Sequence, residues 1–158
     1  MKNKRLYVAY GSNLHNEQMA YRCPDAKVVC NGVIENYALV FRGSKTGAYA
    51  TIIPEKGEEV PVTVWEISPR DEWRLDQYEG FPTFYQKEDI VVRDSKTGRN
   101  ITAMVYIMCK TAKVGQPSRT YLTTCGQGYR DQGLNITKLS EAVTRNCREV
   151  LEAALKGS

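Results

Sequence analysis

Leu6-Tyr7-Val8-Ala9-Tyr10-Gly11-Ser12-Asn13-Leu14 opens the chain with an apolar run that stops in a turn. The run reads as a β-strand, and Gly-Ser-Asn breaks it. Glycine carries no Cβ penalty at positive φ, and asparagine tolerates that region better than most residues. Successive backbone N–H groups in such a turn form a nest that holds an anion. The next residues, Leu14-His15-Asn16-Glu17-Gln18-Met19, read as the opening of a short helix near 16–22, whose N-terminus adds to the positive field. By itself the junction is equally compatible with a plain chain reversal. His15 is either a ligand contact or an exposed residue of the first turn.

Working outward, strand-like runs follow at Lys27–Val33, Asn36–Arg42, Ala48–Ile53 and Val60–Ile67, with Gly43-Ser44-Lys45-Thr46-Gly47 as a loop. Val62 and Val64 alternate with Thr63 and Trp65, which predicts a strand with two different faces. Gln86–Arg93 and Asn100–Cys109 predict a hairpin around Asp94-Ser95-Lys96-Thr97-Gly98. Ser118 is placed to cap a helix that ends by Gly133. Residues 137–155 carry Leu139, Val143, Cys147, Val150 and Ala154 at helical spacing. Strands lie before, between and after the helices without regular βαβ alternation. That order argues against a doubly wound sheet and for an α+β class.

The middle of the chain carries the sharpest helix signal. Ser68-Pro69-Arg70-Asp71 supplies an N-cap, a proline at the first helical position and an acid in the first turn. The helix runs through Trp73, Leu75 and Asp76 and stops at Glu79-Gly80, with Gly80 suited to the C′ position and Pro82 following. Glu79 thus sits where the helix dipole disfavours negative charge. If that position is also desolvated, its pKa rises and the carboxyl becomes a proton carrier near neutral pH. By position alone the favoured reading is a solvated helix-end residue.

Three motifs in this order resemble the gamma-glutamylcyclotransferase family and its AIG2-like branch: Tyr10-Gly11-Ser12-Asn13-Leu14, Ala50-Thr51-Ile52, and Leu75-Asp76-Gln77-Tyr78-Glu79-Gly80 with Tyr85 shortly after. Tyr106 in a strand, Pro117-Ser118-Arg119-Thr120-Tyr121 and Gly133-Leu134 extend the resemblance over nearly the whole chain. The resemblance implies a barrel-like β-sheet with peripheral helices in one domain spanning residues 1–158. It also implies release of 5-oxoproline from a small gamma-glutamyl amino acid or amine, with no cofactor and no metal. Glu79 is then the catalytic base and acid. Tyr10, Gly11, Ser12, Asn13, Leu14, Tyr85, Tyr106 and Tyr121 are the substrate-binding positions. The chain departs from the family in Gln77-Tyr78 before Glu79 and in the short Phe81-Pro82-Thr83-Phe84 segment, which sets apart the loop on the leaving-group side.

The residue types suit that chemistry. The attacking α-ammonium must lose a proton and the leaving nitrogen must gain one, and a single carboxylate can do both. Intramolecular attack reaches effective molarities of roughly 10⁵–10⁸ M when the ends are well oriented, so positioning supplies much of the acceleration. Backbone N–H groups at Gly11, Ser12 and Asn13 suit a carboxylate or a developing oxyanion. Tyrosine outnumbers phenylalanine ten to three, giving flat apolar walls with polar tips. Each of those tyrosines also reads as a half-buried residue with a satisfied hydroxyl.

Composition narrows the alternatives. Lys and Arg number 22 against 18 Asp and Glu, a dispersed surplus without the basic stripe that nucleic acid requires. No apolar run approaches a membrane span and no apolar leader core is seen, so a cytoplasmic protein away from membranes is expected. Cys23, Cys30, Cys109, Cys125 and Cys147 show no metal-ligand spacing and no thiol-activating context. That leaves little for a thiol amidase or a zinc site. The oligomeric state is open, with a homodimer as one arrangement. The rival function is a non-catalytic small-molecule binding module that keeps the pocket.

Overall fold

The computed structural model describes residues 3–44 and 47–157. Five strands close on themselves. β1 (Arg5–Ala9) lies between β3 (Gly47–Ile67) and β5 (Asn100–Met108), followed by β4 (Tyr85–Asp94) and β2 (Lys27–Ser44), which returns to β3. The contact between β1 and β5 is parallel, and the other pairings within the ring are antiparallel. A short β6 (Lys113–Val114) adds to the end of β2. Four helices surround this barrel-like sheet: α1 (Asn16–Arg22), α2 (Pro69–Glu79), α3 (Arg119–Gln132) and α4 (Ile136–Lys156). The α+β class and the barrel-like sheet with peripheral helices are as expected.

Differences from the sequence reading concern continuity. The two expected strands at 27–33 and 36–42 are one strand, β2, interrupted by a register shift between Glu35 and Tyr37. Asn36 there adopts φ 63°, and its Oδ1 accepts the N–H of Gly57 at 3.0 Å. A bulge bends a strand without ending it, and a long hairpin must bend to wrap a barrel. β3 likewise runs unbroken across the gap between the two runs expected there. Gly43, Ser44 and Gly47, expected in a loop, belong to the ladder, while Lys45 and Thr46 lie outside the described residues.

The predicted two-faced strand at Val62–Trp65 is buried on both faces. Thr63 is accommodated there by a hydrogen bond to Asn31 Oδ1 at 2.8 Å. On α4 the buried face is Leu139, Ala142 and Asn146, while Cys147 is exposed. The spacing argument missed this because Asn146 is polar. Its Nδ2 donates to the Gly115 carbonyl at 2.9 Å, which makes its burial tolerable.

Helix ends behave as their residues dictate. Ser68 and Asp71 form a reciprocal capping box, and Gly80 closes α2 in the left-handed region at φ 65°. Ser118 caps α3, and Gly133 ends it at φ 70°. These two helices fix Glu79 and Tyr121 against the mouth of the barrel. No helix among the described residues is long and apolar enough to cross a membrane.

Candidate active site

The Gly11–Asn13 segment leaves β1 as a single tight turn. Leu14 N–H donates to the Gly11 carbonyl and His15 N–H to the Ser12 carbonyl, both at 3.1 Å. Among the described residues no acceptor is found for the N–H groups of Gly11, Ser12 and Asn13. The turn thus holds three successive backbone donors without a protein acceptor among the described residues, the kind of group from which an anion nest is built. Gly11 does not use positive φ, its φ being −128°. Space there is tight instead: a Cβ would sit 3.1 Å from the Tyr121 hydroxyl and 3.2 Å from the Ala50 Cβ.

The turn forms one wall of a cavity of about 390 Å³. The inner wall includes Tyr7, Tyr10, Ser12, Asn13, Tyr85 and Tyr106, and Tyr121 reaches in from the first turn of α3. Glu79 and Tyr78 enter from the end of α2, and Tyr49 and Phe84 stand at the exposed rim. Tyr49 packs edge-to-face against both Tyr121 and Phe84.

The tyrosines are both wall and scaffold. Tyr10 donates to the Tyr106 carbonyl and Tyr85 to the Ala50 carbonyl, each at 2.7 Å. The Tyr121 hydroxyl accepts the Ala50 N–H at 3.0 Å. Ala50, from the Ala50-Thr51-Ile52 motif, is thus held by two phenols. Tyr106 presents its ring to the cavity and donates its hydroxyl to Asp76 Oδ1 at 2.5 Å. Burial and the Glu79 charge push Tyr10 upward, and burial, the neighbouring phenols and the Glu79 charge do the same to Tyr85, so both stay protonated.

Glu79 is half-buried and is the one carboxyl among the described residues that line the cavity. Its carboxyl has no hydrogen-bond or ion-pair partner among the described residues. Desolvation pushes it up to about 7, with the Arg22 charge pulling the other way. A carboxyl with that poise exchanges protons readily at neutral pH.

Residues 7–124 match the family model described as gamma-glutamyl cyclotransferase, AIG2-like. The chain belongs to this family. Human gamma-glutamylcyclotransferase is 32% identical over 137 residues, covering 82% of this chain and 72% of the relative. The mouse gamma-glutamylcyclotransferase is 31% identical over the same length and coverage. A solved structure of a gamma-glutamyl cyclotransferase superposes with a TM-score of 0.79 at 28% identity, covering 89% of this chain and 86% of that one. This is an enzyme family, and its barrel-like fold is the one described above.

Among the family-motif positions of this cyclotransferase-family chain, Tyr10, Gly11, Ser12, Asn13, Glu79, Tyr85, Tyr106 and Tyr121 converge on the one cavity. Leu14 does not line it. Leu14 is fully buried, and its backbone and Cβ pack so closely on α3 that a Cβ at Gly128 would fall 2.6 Å from Leu14 Cβ. Leu14 anchors the turn from behind. His15 does not line it either; its Nδ1 caps α1 by accepting the Gln18 N–H at 3.3 Å. Burial pushes the thiols of Cys23 and Cys125 up to about 12, the reverse of an activated nucleophile.

Sequence reasoning missed Tyr7 and Tyr49 as lining residues, and it named Gln77, Tyr78 and Phe84 only as part of the loop on the leaving-group side. Tyr49 precedes Ala50 in the middle motif, and Gln77 and Tyr78 precede Glu79, so adjacency to the motifs was the available signal. A larger groove of about 620 Å³ lies between α4 and the β2–β3 hairpin. It holds none of the expected site residues. Among its lining charges Arg145 pairs with Glu55 at 2.6 Å and with Glu149 at 3.7 Å.

Proposed function

We propose that this chain is a cyclotransferase that releases 5-oxoproline from small gamma-glutamyl amino acids or amines, with Glu79 carrying the proton. The observation that supports this most is the solitary, unpartnered Glu79 carboxyl, poised near neutrality in a cavity that also contains the Gly11–Asn13 backbone donors. Glu79 takes a proton from the substrate's α-ammonium. The freed amine attacks the γ-carbonyl carbon, closing a five-membered ring and placing negative charge on the carbonyl oxygen. Collapse of that intermediate breaks the bond to the leaving nitrogen, which receives the proton from Glu79. The ring nitrogen, still holding two hydrogens, gives one of them to the Glu79 carboxylate, and the released amine takes that proton up as an ammonium. The products are 5-oxoproline and the free amine. Nest N–H groups suit the α-carboxylate or the oxyanion, and the tyrosine rings hold the glutamyl chain folded.

The test is 5-oxoproline release from a panel of gamma-glutamyl amino acids, simple amines, gamma-glutamyl-lysine and glutathione. Removing a general acid–base typically costs about 10²–10⁴-fold, so Glu79→Gln should lose that much turnover while still binding 5-oxoproline. A Glu79→Gln protein with wild-type turnover would refute the role of Glu79. Binding of 5-oxoproline by the wild type without release from any member of the panel would favour a binding module.

A further inference from the structure

Arg22, the last residue of α1, is not part of the cavity lining, yet it touches residues from both sides of it. Its Nη1 donates to Asn13 Oδ1 at 2.6 Å, and Asn13 Nδ2 donates to the Tyr7 hydroxyl at 2.8 Å. Its guanidinium carbon also lies over the Tyr78 ring, 3.5 Å from the centroid. Asn13, Tyr7, Tyr78 and Glu79 all line the cavity.

These contacts have a polarity. A guanidinium only donates, so it must face the oxygen of the Asn13 amide. The amide nitrogen then faces Tyr7, whose hydroxyl becomes an acceptor and keeps its own hydrogen. Among the described residues that hydrogen has no other acceptor. On α2, the stacked Tyr78 immediately precedes Glu79, so the same guanidinium braces the backbone that carries the carboxyl.

We propose that Arg22 is the positioning residue of this site: it fixes the polarity of the Asn13–Tyr7 pair, braces the Tyr78–Glu79 end of α2, and supplies the positive charge that acts on Glu79. This rests on the reading of Glu79 as the proton carrier. Burial and the Arg22 charge are what act on Glu79, and the phenols that in turn feel the Glu79 charge are Tyr7 and Tyr10 from β1 and the turn, Tyr85 from β4 and Tyr121 from α3. Burial raises all four, so none is charged near neutral pH. Arg22 is therefore the cation to which Glu79 responds.

The experiment compares wild type, Arg22→Met and Arg22→Lys. Carbon-13 NMR of glutamate-labelled protein follows the Glu79 carboxyl through pH, with Glu79→Gln assigning the resonance. Turnover and the pH profile of kcat/KM are measured on whichever gamma-glutamyl compound the wild type cleaves. Arg22→Met removes the charge, so the Glu79 midpoint and the acid limb should both move to higher pH. Arg22→Lys keeps the charge but loses the fork and the stack. Its midpoint should stay close to wild type while kcat falls, a 1 Å misplacement being worth on the order of 10²-fold.

An unmoved or lowered midpoint in Arg22→Met overturns the electrostatic half, even if that protein is less stable. Wild-type kcat in Arg22→Lys overturns the positioning half. If Arg22→Met does not fold, Arg22→Lys alone still decides the positioning half, and high salt on the wild type reads the charge, since screening should raise the midpoint. Failure of the Glu79 assignment is seen separately, as turnover by Glu79→Gln, and leaves the NMR titration readable.

Discussion

Replacing Glu79 by glutamine should make the fold progressively more stable than wild type as the pH rises. Desolvation lifts the Glu79 carboxyl from its ordinary 4.5 to about 7. Between those values the folded chain holds a proton that the unfolded chain has released, so stability falls as the pH rises through this window. Each pH unit between two such values is worth about 1.4 kcal/mol, which bounds the loss at about 3 kcal/mol. The residue is not fully buried, and solvent screening on its exposed side reduces the penalty, so about 1–2 kcal/mol is expected. Glutamine has the shape of the protonated acid and does not titrate. The stability difference between Glu79→Gln and wild type should therefore grow by that amount, in favour of glutamine, from pH 4.5 to pH 8. Urea unfolding followed by tryptophan fluorescence measures it, with buried Trp65 as reporter. Parallel stability curves for the two proteins across this range would refute the claim that the cavity desolvates Glu79.

Other perturbations read different parts of the same construction. Since Glu79 must be ionised to accept a proton, kcat/KM of the wild type should rise through about pH 7, and a profile flat from pH 5 to 8 would contradict the assignment. Gly128→Ala places a Cβ 2.6 Å from Leu14 Cβ and 2.8 Å from the His15 nitrogen. It should cost about 1–3 kcal/mol and lower turnover by shifting the nest, seen by chemical denaturation and by kcat. Tyr85→Phe leaves the Ala50 carbonyl without its 2.7 Å donor and should cost about 1–3 kcal/mol in thermal or chemical unfolding. Ser68→Ala removes the capping hydroxyl from Asp71 N–H and should cost about 1 kcal/mol, with Ser68→Thr recovering most of it.

Local chemistry was legible in the chain. Ser68, Pro69 and Asp71 start α2 and Gly80 ends it because caps and stops act on groups within one turn of themselves, and that alone placed Glu79 at a helix end. Strand, turn and short helix around Tyr10–Leu14 were readable for the same reason, although the glycine turned out to sit in tight space rather than at positive φ. The family motifs supplied the positions that converge on the cavity. Continuity of β2 and β3 was not legible, because a bulge at Asn36 looks like a break when only alternation is read.

By itself, then, the sequence determined the class of elements, their ends and the chemical types available to the site. Only the tertiary structure decided that the Glu79 carboxyl would be poised near 7, since desolvation depends on which walls of Tyr7, Tyr10, Tyr85 and Tyr121 close around it. It alone decided that Leu14 faces α3 rather than the cavity, and that Arg22 joins Asn13 to Tyr78. These are contacts between residues far apart in the chain, set by how a barrel closes and how helices cover it. Periodicity constrains which face of an element is buried, and leaves open which neighbour that face will meet.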